Sequence, residues 1–212
     1  ETSVLRRLPI GALALLLALP MTLQAQDLRL RVDRSTNAAD PDDVPEVTIS
    51  EMGQNFQVNT GPAAVVWREG QSASGAYNLS ATFTLQSPSD HNNYYGLVFG
   101  GAELEGDSQN YLYFLVSQNG SYIVKHRANN EVVHDLQDRT PHDAIRTPGE
   151  GGSSVNDLEV RVGADQLAFV VNGTVIHTMP REGMASRTDG AYGVRVNHRI
   201  PGVLVENLSV GN

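Results

Sequence analysis

Apolar and polar residues alternate with a period of two along most of this chain. From Tyr77 the odd positions are Tyr77, Leu79, Ala81, Phe83 and Leu85, and the even ones are Asn78, Ser80, Thr82, Thr84 and Gln86. Successive side chains of a strand point to opposite faces, so this stretch predicts a strand with one dry and one wet face. Leu158, Val160 and Val162 alternate with Asp157, Glu159 and Arg161, and Leu167, Phe169 and Val171 follow. Tyr192, Val194 and Val196 alternate with Gly193, Arg195 and Asn197. Residues 97–99 and 111–116 are apolar on both faces, as central strands covered on both sides would be. Nothing repeats at the 3.6-residue period of an amphipathic helix.

Turn residues punctuate the strands. Asn119-Gly120 separates YLYFLVSQ from SYIVKHR, and Asn172-Gly173 separates LAFVV from TVIHT. Both pairs suit a two-residue hairpin whose central residues need positive φ. Gly163-Ala164-Asp165 supplies a third turn. Residues 37–45 (NAADPDDVP) and 141–155 (PHDAIRTPGEGGSSV) lack periodicity and read as loops. The pattern predicts about a dozen strands in antiparallel meanders. At this length an all-β, two-sheet antiparallel sandwich is favoured over a small barrel.

The start of the chain has a different pattern. Residues 8–23 are apolar apart from Pro9, Gly11, Pro20 and Thr22, follow Arg6-Arg7, and end at Leu23-Gln24-Ala25 before polar Gln26-Asp27. A positive start, a short apolar run and a small residue at the cut form the pattern of a secretory signal. The run is broken and falls short of the ~20 apolar residues of a membrane span. Residues 1–25 are therefore expected to be a signal peptide. Residues 26–212 would be a single sandwich domain, secreted or periplasmic, with no membrane span after cleavage.

Composition narrows the partners. The 212 residues carry 15 Lys+Arg against 24 Asp+Glu, a formal net charge of −9. That balance argues against nucleic acid and anionic membrane surfaces, which need a cationic face. The absence of cysteine excludes disulfides, thiolate metal sites and cysteine nucleophiles.

Three stretches resemble known sandwiches. Asn156-Asp157-Leu158-Glu159-Val160-Arg161-Val162, followed by Leu167-Ala168-Phe169-Val170-Val171-Asn172-Gly173, resembles the strand–hairpin–strand of laminin-G-like and other concanavalin A-like domains. Residues 190–196 (GAYGVRV) with 205–210 (VENLSV) look like the closing strands of the 3-keto-disaccharide hydrolase domain, a jelly-roll relative of family 16 glycoside hydrolases. Asn93-Tyr94-Tyr95-Gly96-Leu97-Val98-Phe99 is similar to another strand of that domain. The resemblance covers residues 54–210 and implies a concanavalin A-like jelly roll. The superfamily includes lectins, glycosidases and inert spacer modules, so it implies fold more than activity. Gly100-Gly101 stands where an arginine commonly ends the last motif. Arg195 replaces a usual glutamine, and His198 lies one place after an expected histidine.

Family 16 enzymes carry Glu-x-Asp-x-x-Glu on one strand face, where paired carboxylates can attack and protonate. The nearest match, Glu103-Leu104-Glu105-Gly106-Asp107, would place its third acid at Asn110, and its glycine makes it a loop. Asp40, Asp42 and Asp43 fit no compact calcium loop. The histidines His91, His126, His134, His142, His177 and His198 include no His-x-His and no His-Glu-x-x-His, so no metal site is expected. No nucleophile elbow or phosphate loop occurs. No cofactor is expected, with Ca2+ the one ion an acidic loop could take.

The remaining signal is aromatic and polar. Tyr94, Tyr95, Tyr111, Tyr113 and Tyr122 cluster on central strands, while Trp67 reads as core. Aromatic faces stack on sugar rings, while Arg, Asn and His bond hydroxyls. The expectation is an exported, non-catalytic carbohydrate-binding or cell-surface module with a shallow groove on its concave sheet. Its ligand-binding residues would be Tyr95, Tyr113, His126, Arg161 and Arg195, with His198 added from the resemblance. Its partner would be a carbohydrate or a cell-envelope component, and the oligomeric state stays open. The alternative is a hydrolase of the 3-keto-disaccharide type.

Overall fold

The computed structural model describes residues 27–34, 45–150 and 152–211. The expected signal peptide and Asp40, Asp42 and Asp43 lie outside the described residues. Within them the chain forms β1 (Leu28–Asp33), β2 (Thr48–Met52), β3 (Asn55–Asn59), β4 (Ala63–Ala73), β5 (Tyr77–Leu85), β6 (Tyr94–Ala102) and β7 (Asn110–Ser117). Then follow β8 (Ser121–Ala128), β9 (Val132–Pro141), β10 (Ser154–Val162), β11 (Gln166–Val171), β12 (Thr174–Pro180), β13 (Gly190–Val196) and β14 (Val203–Gly211). The only helical element among the described residues is a 3-10 turn, Gly183–Ser186.

Two seven-stranded antiparallel sheets result. The front sheet runs β1-β4-β13-β6-β7-β8-β9, and the back sheet runs β12-β11-β10-β5-β14-β3-β2. This is the two-sheet antiparallel sandwich that the alternation predicts, in the jelly-roll form that the resemblance implies. β5 shows it most clearly: all five odd positions from Tyr77 to Leu85 are buried and the even ones are half-exposed. Leu158, Val160 and Val162 of β10 and Leu167, Phe169 and Val171 of β11 join β5 in the core. From the front sheet, Phe114 meets Phe169 at 5.1 Å and Tyr95 meets Phe83 at 5.8 Å, so aromatic contacts tie the two sheets together.

One hairpin follows the expected chemistry and one does not. Asn172 (φ 51°) and Gly173 (φ 80°) are both left-handed and connect β11 directly to β12. At the other, only Gly120 has positive φ, and its N–H closes on the Ser117 carbonyl. Gln118 and Asn119 make the turn and Gly120 follows as a bulge, a three-residue connection. Asn119 is freed for its side chain, which accepts hydrogen bonds from the Ser117 and Ser121 hydroxyls.

Gly100-Gly101, the pair standing where an arginine is common, has a backbone reason. A Cβ on Gly100 (φ 62°) would lie 2.0 Å from the Arg187 carbonyl oxygen. The segment after the 3-10 turn packs directly on β6 there, and no side chain fits between them.

Candidate functional site

The front sheet is buried on both faces. Its inner face carries Tyr95, Leu97, Phe99, Leu112, Phe114, Val194 and Val196. Its outer face carries a second apolar cluster that includes Val65, Trp67, Tyr94, Val98, Tyr111, Tyr113, Leu115 and Ile123. Trp67 is therefore packed, as expected, but on the outer face and not between the sheets. Strand register lines up Arg31, Val65, Arg195, Gly96, Leu115 and Ile123 across six strands. Gly96 leaves no side chain beside the Arg195 stem, and Arg195 lies over the face.

Arg195 is 8% exposed, and its guanidinium bonds through Nη1 and Nε. Its Nη1 donates to Asp33 at 2.6 Å and to the Tyr111 hydroxyl at 2.7 Å, and its Nε donates to the Asn197 side-chain carbonyl at 3.0 Å. Its carbon centre lies 5.6 Å from the Tyr113 ring centroid. Asp33 is on β1 and Tyr111 on β7, four strand spacings apart, or about 19 Å on a flat sheet. One nitrogen can reach both only if the sheet curves toward its outer side. Arg31 shows the same curvature. From β1 it donates to Asp33 (2.8 Å), to the Leu104 and Gly106 carbonyls of the β6–β7 loop, and to Asn130 beyond β8. The outer face of the front sheet is thus concave, and at this end Arg31 closes it.

The charges in the network hold one another. Burial would raise the Asp33 carboxyl, but the Arg195 charge and hydrogen bond, with the Arg31 bond, more than reverse this and hold it below the usual range. Burial also works against the Arg195 charge, yet Tyr111 and Asp33 hold its pKa above the ordinary arginine value. Burial raises the Tyr111 and Tyr113 hydroxyls, which stay protonated. This end of the face is held by an ion-pair network, and the two depressions beside it, about 300 Å3 near Trp67 and about 570 Å3 along β1, are lined by Glu103, Glu105 and Asp107 of the β6–β7 loop.

The other end is open. A cleft of about 500 Å3 is lined by Asn92, Asn93, Tyr94, Lys125, Arg139 and Asn197, with Ile123 and Asp138. The Tyr94 ring is held by a hydrogen bond between its hydroxyl and that of Ser121, 2.9 Å. Asn93 donates to the His198 carbonyl at 2.6 Å. Lys125 pairs with Asp135 at 2.6 Å. Side-chain amides, an aromatic edge and charges around one cleft are the groups that hold a polar, hydroxyl-rich ligand.

Of the six residues expected from sequence, two meet on this face: Arg195 and Tyr113. Both are largely sealed at the network end. Tyr95 points between the sheets, 1% exposed, because Tyr94 takes the outer position. His126 also faces inward. It bonds Asn110 at 3.0 Å and stacks on His134, and burial followed by the nearby Arg187 charge lowers its pKa. Arg161 lies on the outer face of the back sheet, paired with Glu159 at 2.9 Å. His198 follows β13 and packs edge-on against His91 beside the cleft. The groove as first drawn therefore does not assemble. Asn92, Lys125 and Arg139 carried no sequence signal beyond parity on their strands or position in a loop, while Asn197 stands at the place where the resemblance expects a histidine. Glu103, Glu105 and Asp107 form the expected exposed loop. Among the described residues no three His, Asp or Glu side chains gather as ligands for a metal ion. No helix among them is long and apolar enough to cross a membrane.

No protein-family model and no curated protein matches the chain. Solved structures do. A carbohydrate-binding module, CBM66, from Bacillus subtilis superposes with a TM-score of 0.58 at 10% identity, over 79% of this chain and 92% of that one. A Bacillus subtilis protein of unknown function with a galectin-like fold gives 0.56 at 12% identity, over 87% and 88% of the two chains. These neighbours are jelly-roll, concanavalin A-like sandwiches, the fold that the sequence resemblance implied.

Proposed function

We propose that this chain is an exported, non-catalytic carbohydrate-binding module that takes its ligand on the concave face of the front sheet. The observation that carries the reading is the cleft of Asn92, Tyr94, Lys125 and Asn197, which gathers amides, an aromatic ring and cations, whereas the two depressions toward β1 are lined by the acidic loop of residues 103–107. The fold shared with a carbohydrate-binding module supports it. Planar amides bond vicinal hydroxyls, and the curved sheet places them around one ring-sized space. Export rests on the pattern of residues 1–25.

The hydrolase alternative is weaker. It needs a protonated acid beside the reacting sugar. Asp33, the carboxyl nearest Arg195, is held ionised by two arginines and is sealed from the cleft, and Asp138, the carboxyl that lines the cleft, has no second acid beside it in that lining.

A glycan array probed with the purified protein tests the proposal. Binding is expected, and it should fall about tenfold or more in Asn92→Ala and Lys125→Ala. It should persist in Asp157→Ala on the back sheet. An array without any bound saccharide, or loss confined to the back-sheet variant, overturns the proposal.

A further inference from the structure

The cations of the concave face differ in what they are doing. Arg29 is paired with Glu69, Arg31 and Arg195 with Asp33, and Lys125 with Asp135. Arg127 donates to the Asn129 and Asn130 carbonyls. Arg139 is the exception. It is exposed on β9, lines the cleft, and its guanidinium lies 5.6 Å from the Tyr94 ring centroid. Among the described residues it makes no hydrogen bond or ion pair to a protein oxygen. A guanidinium over an aromatic ring is held by cation–π attraction, which does not consume its N–H donors as a carboxylate would. The ring also restricts the side chain, which lowers the entropy lost when a ligand binds. In a chain with a net charge of −9, an arginine over an aromatic ring in an open cleft, with no ion pair to the Asp138 carboxylate beside it, is a position suited to an anion.

We infer that the cleft selects an acidic saccharide, with Arg139 holding the planar carboxylate of a uronic acid ring. This rests on the carbohydrate-binding reading and names its ligand class. A carboxylate fits the guanidinium fork through two parallel hydrogen bonds. Asn92, Asn93 and Asn197 then face the ring hydroxyls, and Lys125, half-exposed and shared with Asp135, adds a second positive charge. Asp138 also lines the cleft and repels an anion. It limits the site to one carboxylate, placed on the Arg139 side.

The test is calorimetric titration of the whole protein with short oligomers of galacturonate, glucuronate and mannuronate. Each is compared with its methyl ester, which keeps the ring and loses the charge. Sulfated and neutral oligosaccharides complete the panel. At least one uronide should bind about tenfold or more tightly than its ester, and less tightly as salt rises from 50 to 300 mM, concentrations chosen to span the screening range. Arg139→Gln, at an exposed position, should keep the unfolding midpoint. It should lose that tenfold on the acid while barely changing affinity for the ester. Asp138→Asn should tighten uronide binding. Equal affinity for acid and ester, preference for a sulfated or neutral sugar, or a uronide bound equally by Arg139→Gln overturns this inference and leaves the carbohydrate reading standing. Failure of every saccharide overturns both.

Discussion

The back sheet turns Asn78, Ser80, Thr82 and Thr84 outward beside Asp157, Glu159 and Arg161, and all remain at least partly exposed. The front sheet turns Val65, Trp67, Val98, Tyr111, Tyr113 and Arg195 outward, and all are buried. Both outer faces come from alternating antiparallel strands, so alternation alone does not separate them. Curvature does. The back sheet has a depression of about 240 Å3 near Ser80, Thr82, Asp157, Glu159 and Asn207, with no aromatic ring in its lining. The front sheet folds its outer face inward until side chains from β1 and β7 share one guanidinium nitrogen. A face that shields its own apolar residues can hold a buried arginine and still leave an opening lined by amides, an aromatic ring and cations.

If the two faces differ in this way, their arginines should differ most. Arg195→Met leaves the buried Asp33 carboxylate with Arg31 as its one remaining cation and should cost about 3 kcal/mol in urea unfolding, the lower end of the range for breaking a buried pair. The double variant Arg195→Met with Asp33→Leu should recover much of that loss, since it removes both charges together. Equal small losses for the front and back arginines would erase the distinction.

The tyrosines sharpen it next. Tyr111→Phe removes a hydroxyl bonded to a charged group and should cost about 1.5–3 kcal/mol. Tyr113→Phe, whose ring meets Arg195 by its face, keeps that contact and should cost much less.

Acid should weaken the front face. The folded-state pKa of Asp33 lies below its ordinary value of 3.8, so its contribution is complete above that value and is lost as pH falls through the folded pKa. The urea midpoint should therefore drop more steeply below about pH 4 in the wild type than in Asp33→Asn. Parallel curves would remove Asp33 from the account. The smallest effect belongs to the back sheet: Arg161→Ala, exposed and paired only with Glu159, should change stability by less than about 0.5 kcal/mol.

The strands were legible in the sequence because burial between two sheets imposes a period of two. Tyr77, Leu79 and Phe83 show it without ambiguity, and so does the parity of Tyr192, Val194 and Val196. The same parity separates Tyr94 from Tyr95 and places Arg195 outward. Assigning Tyr95 and His126 to the groove ignored it, since both share the parity of residues that fill the core. The Arg195–Asp33 pair was not legible, because 162 residues separate its members and only curvature brings them together. Arg139 was illegible for a related reason. What marks it is its place over the Tyr94 ring of β6, a strand that does not pair with β9, and no local pattern records that contact. The role of Gly100-Gly101 appears only when the segment at Arg187 is seen to pack on it.

The central claim is that ligand binds on the concave front face. Chemical-shift mapping of isotope-labelled protein, titrated with the saccharide that binds best on the array, tests it directly. The account predicts perturbations centred on Asn92, Tyr94, Lys125, Arg139 and Asn197, with the amides of Ser80, Asp157 and Glu159 unmoved. Perturbations centred on β5 and β10 of the back sheet would contradict it.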